Sequence, residues 1–184
     1  MAPPIKLALI YGSAREGRFC DTVARWAAAQ IESRPEFSLH TIDPAALDLA
    51  RDGETLRRRI GQADAFVVVT PEYNHSFPAP LKALIDSAYH EWQAKPVGFV
   101  SYGGISGGLR AVEQLRLVFA ELHAVGLRDT VSFANAHQQF GADGTPLDGQ
   151  GATRAMATLL SRLAWWALAL REAREARPYE GAAA

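Results

Sequence analysis

Short apolar runs of strand length alternate along the chain with longer stretches whose apolar residues recur every three or four positions. Ile5 to Tyr11 is apolar apart from Lys6 and is closed by Gly12, the pattern of a strand buried on both faces of a parallel sheet. Val23, Trp26, Ala27, Gln30 and Ile31 then share one face of a helix expected from about Asp21 to Ser33. Phe37 to Ile42 reads as a second strand and Glu54 to Ala63 as a short helix. Ala65 to Thr70, with three consecutive valines and Pro71 at its close, reads as the third and central strand. Leu81 to Trp92 has helical spacing after a proline cluster, Val97 to Tyr102 gives a fourth strand, and Leu109 to Val125 a long amphipathic helix stopped by Gly126. Thr130 to Ala134 is the fifth strand. A Gly/Asp/Pro loop from Gly141 to Gly149 leads to a last helix expected from Ala152 to Glu172.

Strands alternating with helices in this way predict an α/β chain, doubly wound, with a five-stranded parallel sheet in the order 2-1-3-4-5. Residues 1–172 would form that domain, and 173–184, rich in Ala, Glu and Arg, read as a disordered tail. In such sheets ligands bind outside the carboxyl ends of the strands, where the strand order reverses. Gly12 to Arg18, Pro71 to Pro80 and Ser101 to Gly108 each lie just past a proposed strand. Strands one, three and four are neighbours in the expected order, so the three loops would converge on one crevice.

Composition narrows the classes of partner. A net charge of -1 over 184 residues gives no electrostatic case for nucleic acid or an anionic membrane. The only basic run, Arg57 to Arg59, reads as the solvated face of a short helix. Cys20 is the sole cysteine, which excludes an internal disulfide and fits a reducing compartment. No stretch approaches the roughly 18 apolar residues of a membrane span, and the first residues lack the pattern of a signal peptide. A soluble cytoplasmic protein is the expectation. The five histidines are scattered without metal-ligand spacing, so no metal site is expected.

Each of the three loops carries its own chemistry. GSAREGR, 12–18, opens on glycine at a helix start, where backbone N–H groups and the helix dipole favour a phosphate. Ser13, Arg15 and Arg18 add donors suited to a dianionic terminal phosphate, while the G-x-G-x-x-G and Walker spacings are not met. The second loop, within TPEYNHSFPAPLKALID at 70–86, is stiffened by Pro71 and sets Tyr73, His75 and Phe77 beside Asn74, as a flat heteroaromatic ring requires. SYGGISGGLR, 101–110, has four glycines that let backbone approach a ligand closely.

These three segments, in this order and at these intervals, resemble the NADPH-dependent FMN reductases of flavodoxin-like fold, which include quinone, azo-dye and chromate reductases. The likeness covers about the first 130 residues, and TPEYN followed by a PxPLK-type helix start carries most of it. It implies that FMN is the cofactor and NADPH, or NADH, the electron donor. Hydride would pass from the nicotinamide to the flavin and on to a small acceptor: a quinone, an azo compound, a metal oxyanion or free flavin. It also implies that Ser13, Arg15 and Arg18 hold the FMN phosphate, and that Pro71, Glu72, Tyr73 and Asn74 line the isoalloxazine. Ser101, Gly103 and Gly104 would close its polar edge, and no side chain need act as a nucleophile. Phe19 and Cys20 replace the small or polar residues usual in the family, leaving backbone donors there. The segment from Asp43 to Glu54 is shorter than in many relatives, which implies a more open pocket. Relatives often complete that pocket from a second subunit, so a homodimer or tetramer is expected, built on the helices after strands three and four with Tyr89 and Trp92 as contacts. Trp165 and Trp166 read as core or interface residues.

The rival functional reading is a flavodoxin-type electron carrier serving protein partners. Such carriers are strongly acidic, unlike this chain. A nucleotide-binding module without redox turnover would purify colourless and fail to take up FMN. A cysteine phosphatase is rejected by the spacing of Cys20 and Arg25, which leaves Cys20 as a small packing residue.

Overall fold

The computed structural model describes residues 3–179. Five strands, β1 (Ile5–Tyr11), β2 (Phe37–Ile42), β3 (Ala65–Pro71), β4 (Pro96–Tyr102) and β5 (Val125–Phe133), form one sheet in the order β2-β1-β3-β4-β5. Every pairing is parallel. This is the flavodoxin-like strand order that the alternating pattern predicts. The helices are α1 (Cys20–Glu32), α2 (Leu49–Gln62), α3 (Ala79–Asp86), α4 (Leu109–Glu121) and α5 (Gly149–Ala176).

Alternation along the buried strands sends side chains to two separate cores. Ile5, Leu7 and Leu9 of β1 pack with Val67 and Val69 of β3 beneath α1 and α5. Ala8 and Ile10, with Phe66 and Val68, pack on the other face against α2, α3 and α4. All seven residues of β3 and of β4 are buried, as central strands covered on both sides must be.

Several boundaries move for identifiable reasons. Helix α2 begins at Leu49 rather than Glu54, because the Asp48 carboxylate accepts from the Ala50 N–H at 3.1 Å and caps it. Helix α4 stops at Glu121 rather than Val125, and His123 turns the chain with φ 56°. The Val125 N–H then bonds the Lys95 carbonyl at 2.9 Å, so the residues that seemed to prolong the helix open β5 instead. The helix expected to reach Trp92 ends at Asp86. Trp92 is wholly buried against Phe66 and Phe119, with its indole N–H on the Ile85 carbonyl at 3.1 Å. It is a core residue, which removes it from the expected subunit contacts. Trp165 and Trp166 are exposed on α5 and belong to neither core.

The tail reading is corrected for its first residues. Helix α5 continues to Ala176, and Arg174 donates to the Ala94 carbonyl at 2.5 Å while lying 3.5 Å from Asp64. The Tyr179 hydroxyl meets His123 Nδ1 at 2.9 Å. Residues 180–184 lie outside the described residues. No helix among those described is long and apolar enough to cross a membrane.

Lys95 supplies a buried charge at the end of the sheet remote from the three loops. Its ammonium donates to the carbonyls of Ile60 and Gly61 at 3.1 and 2.8 Å, closing the carboxyl end of α2. Burial, reinforced by Arg174, pushes its pKa down to about 8. The unfolded chain therefore binds the proton more tightly than the folded one between that value and the ordinary lysine range. Stability measured by urea unfolding is expected to rise with pH across that window in the wild type, and this component of the rise to vanish in Lys95→Met.

Candidate functional site

Three loops meet at the carboxyl edge of the sheet, where β1, β3 and β4 end side by side. Tyr11 pairs with Val69, and Pro71 with Tyr102. A cavity of about 340 Å³ opens there, lined by Pro71, Glu72, Tyr73, Tyr102, Gly103 and Gly104 and closed by residues 135–138. Pockets of this size hold small ligands.

The first loop adjoins the cavity through Tyr73. The buried Ser13 hydroxyl lies 3.0 Å from the Tyr73 hydroxyl, and the Arg15 guanidinium stacks 3.9 Å over the Tyr73 ring. Arg18 behaves differently. Its Nε is 2.7 Å from Asp21, its guanidinium forms a two-armed pair with Asp43, and it donates to the Ser13 carbonyl. These partners, Asp43 foremost, hold its pKa above the ordinary arginine value. Arg18 thus braces the loop against the end of β2, with its charge matched by two carboxylates. Phe19 turns its ring into a wall, 4.4 Å from His137, 5.5 Å from Phe140 and 5.8 Å from Tyr102. Cys20 is fully buried with its thiol aimed at the Val69 carbonyl, and burial pushes its pKa up. The thiol is a packing group. Only the backbone of residues 19 and 20 remains available at the helix start.

In the second loop the Tyr73 and Ser76 backbones bond each other at 2.8 and 3.0 Å, making a tight turn whose tip is Asn74 and His75. Asn74 is exposed at that tip and does not border the cavity. Glu72, its side chain only 8% exposed, accepts from the Ser106 hydroxyl at 2.6 Å, the Arg110 N–H at 3.2 Å and the Arg110 guanidinium at 2.9 Å. Burial alone would raise its pKa, but the bonds from Ser106 and Arg110 outweigh that and hold it below the usual carboxylate range. Helix α4 has no side-chain cap of its own, so Glu72 satisfies its first turn from another loop.

Two of the four glycines in the third loop serve packing. A β-carbon on Gly107 would fall 2.3 Å from the Ser132 hydroxyl, and one on Gly108 2.8 Å from the Tyr102 nitrogen. Both also have positive φ, at 61° and 83°. The other two, Gly103 and Gly104, face the cavity, and a methyl group on Gly104 would meet nothing within 4 Å. Ser101 does not reach the cavity wall. Its buried hydroxyl donates to the Gly107 carbonyl at 2.8 Å and fixes the glycine loop from beneath.

The structure also adds a fourth segment. The Asn135 and Ala136 N–H groups donate to the carbonyls of Gly104 and Gly103 at 2.8 and 3.1 Å, so residues 135–138 fold over the glycine loop. In the sequence this stretch is a polar exit from a strand, and a ligand-bearing role would show only as NAHQ lying past β5. Asp43, the partner of Arg18, was equally silent, since a lone acid after a strand announces nothing. No group of His, Cys, Asp and Glu suited to a metal occurs among the described residues.

Glu72→Ala is expected to leave the Ser106 and Arg110 donors unmatched, costing roughly 1–3 kcal/mol. Glu72→Gln should recover part of this, because an amide oxygen still accepts. Urea unfolding of the three proteins measures both. Because the folded-state pKa of Glu72 is depressed, its contribution is present above the ordinary carboxylate range and lost as pH falls through the lowered value, a loss the alanine variant should not show.

The donor set fits a phosphorylated flat ring. Pro71, Glu72, Tyr73, Gly103 and Gly104 line one cavity, and the donors of Ser13 and Arg15 lie beside it against Tyr73. Residues 5–138 match the family described as NADPH-dependent FMN reductase. An NAD(P)H-dependent FMN reductase of Schizosaccharomyces pombe is 35% identical over 120 residues, covering 56% of this chain and 60% of its own length. An NAD(P)H:quinone oxidoreductase of Solanum tuberosum is 35% identical over 180 residues, covering 86% of this chain and 91% of its own. Among solved structures, the flavoenzyme NAD(P)H:(acceptor) oxidoreductase FerB of Paracoccus denitrificans superposes with a TM-score of 0.72 at 23% identity, over 89% of this chain and 97% of that one. With the strand order, the loops and the matched span in agreement, the chain belongs to the NADPH-dependent FMN reductase family.

Proposed function

We propose that Ser13, Arg15 and the backbone at the start of α1 hold the phosphate of FMN, and that Pro71, Glu72, Tyr73, Gly103 and Gly104 with residues 135–138 enclose its ring. The chain then acts as an NAD(P)H-dependent oxidoreductase toward small acceptors of the quinone class. The observation that carries this reading is the juncture at Tyr73, whose hydroxyl touches Ser13 in the first loop while its ring borders the cavity of the second and third. FMN, when bound, supplies a ring that accepts hydride from a nicotinamide and gives it up to the acceptor. The protein's share is placement and electrostatics. Glycine backbone gives close approach on one wall, and Tyr102 and His137, which line the cavity, are each packed against Phe19. Arg18, paired with Asp21 and Asp43, braces the first loop.

Support for a second subunit comes from exposed apolar residues on the helices after β3 and β4: Ala79, Pro80 and Ala83 on α3, Leu117 on α4, and Tyr89 after α3. A homodimer through these helices, in the cytoplasm, is part of the proposal. Sedimentation of the purified chain at micromolar concentration should give the dimer mass.

The deciding experiment is the visible spectrum of purified protein with added FMN, followed by anaerobic bleaching with NADPH and with NADH. A yellow complex bleached by either supports the reading, and a colourless protein that leaves FMN in the filtrate overturns it. Arg15→Ala is expected to weaken FMN roughly tenfold to 150-fold, the worth of one charged hydrogen bond. Equilibrium quenching of flavin fluorescence reads this directly.

A further inference from the structure

The tip of the second loop is held in a conformation its residues do not favour. Asn74 and His75 are consecutive and both have positive φ, 51° and 65°. Asparagine and histidine are among the non-glycine residues most often found in this region, but each carries a β-carbon into a crowded arrangement that glycine avoids, and here two stand in succession. Two-residue turns with both central residues at positive φ usually end in glycine, as in Asn-Gly. Here the glycine position is taken by His75, so something outside the turn must stabilise it.

That support comes from α4. The Gln114 side chain donates from Nε2 to the His75 carbonyl at 2.9 Å and accepts at Oε1 from the Ser76 hydroxyl at 2.6 Å. Both ends of one amide are thus committed to the turn. Gln114 lies four residues beyond Arg110, which grips Glu72 at the start of the same loop. Residues four apart occupy one helix face. Successive turns of α4 therefore hold both sides of the short segment that contains Tyr73, which borders the cavity and carries Arg15.

We infer that Gln114 is a positioning residue for the cofactor site: it keeps the Tyr73–Ser76 turn in its strained form and so fixes Tyr73 against the cavity and the Ser13 loop. Gln114 touches neither the cavity nor the phosphate seat, and it acts only through the turn. The inference rests on FMN being the occupant of the crevice.

The test couples Gln114 to the strain it offsets. Gln114→Ala should weaken FMN binding by up to roughly fivefold to 150-fold by fluorescence quenching, the effect of losing two ordinary hydrogen bonds. In the ligand-free protein the same change should speed amide hydrogen exchange at residues 73–77, with the core strands exchanging as before. His75→Gly removes the penalty at the tip. The double variant Gln114→Ala/His75→Gly should therefore recover most of the lost FMN affinity and much of the exchange protection. Exchange at 73–77 that is unchanged in Gln114→Ala overturns the inference, as does a double variant no better than the single. Wild-type protein that binds no FMN at all would instead overturn the reading of the crevice, while the exchange measurements would still report on the turn.

Discussion

Where β1 ends, its chain lies directly on the backbone of β3. The Gly12 N–H donates to the Val69 carbonyl at 2.7 Å, and a β-carbon on Gly12 would fall 2.6 Å from that same oxygen. Only glycine can make this contact, and the geometry of the site follows from it. It delivers the first loop to the top of β3 at the height where Pro71 and Glu72 leave the sheet. The Ser13 hydroxyl can then reach Tyr73, and the first loop adjoins the cavity wall. A bulkier residue at position 12 would push the two strands apart at the one level where they must touch.

Around that contact the ionic groups serve architecture more than ligand binding. Arg18 ties the first loop to Asp43 at the end of β2, and Glu72 ties the second loop to Arg110 and the third loop to itself. Partly buried pairs of this kind offset their desolvation only when their hydrogen bonds are well satisfied, and each carboxylate here accepts from more than one donor. The crevice walls are thereby set before a ligand arrives. Preorganisation of that sort lowers the ordering entropy a cofactor must overcome, and it leaves Arg15, exposed and stacked on Tyr73, as the first loop's adjustable cation.

The aromatic residues divide in a similar way. Phe19 offers no side-chain donor but joins Tyr102, Phe140 and His137 in a wall linking the first loop to the segment after β5. That segment is itself bonded to the glycine loop. Through the Phe19–His137 contact, residues 135–138 pack against the first loop.

The sequence by itself determined the parallel sheet and its strand order, because the two-sided burial of VVVTP and its neighbours admits few other folds, and it determined which three loops would gather at the strand ends. Glycine and proline marked those loops because their backbone needs are local. Tertiary structure alone decided which residues in the loops line the cavity and which turn into the protein. Arg18 and Ser101 read as ligand groups in the chain, yet one is matched by Asp43 and the other by the Gly107 carbonyl, partners 25 and 6 residues away. The apolar period of α4 runs on through Val125, but pairing with Pro96 captures that backbone for β5. Residues 135–138, Gln114 and Asp43 left no local trace. A side chain's local spacing records the element it sits on, whereas its partner across the fold is fixed only when the sheet brings distant segments together.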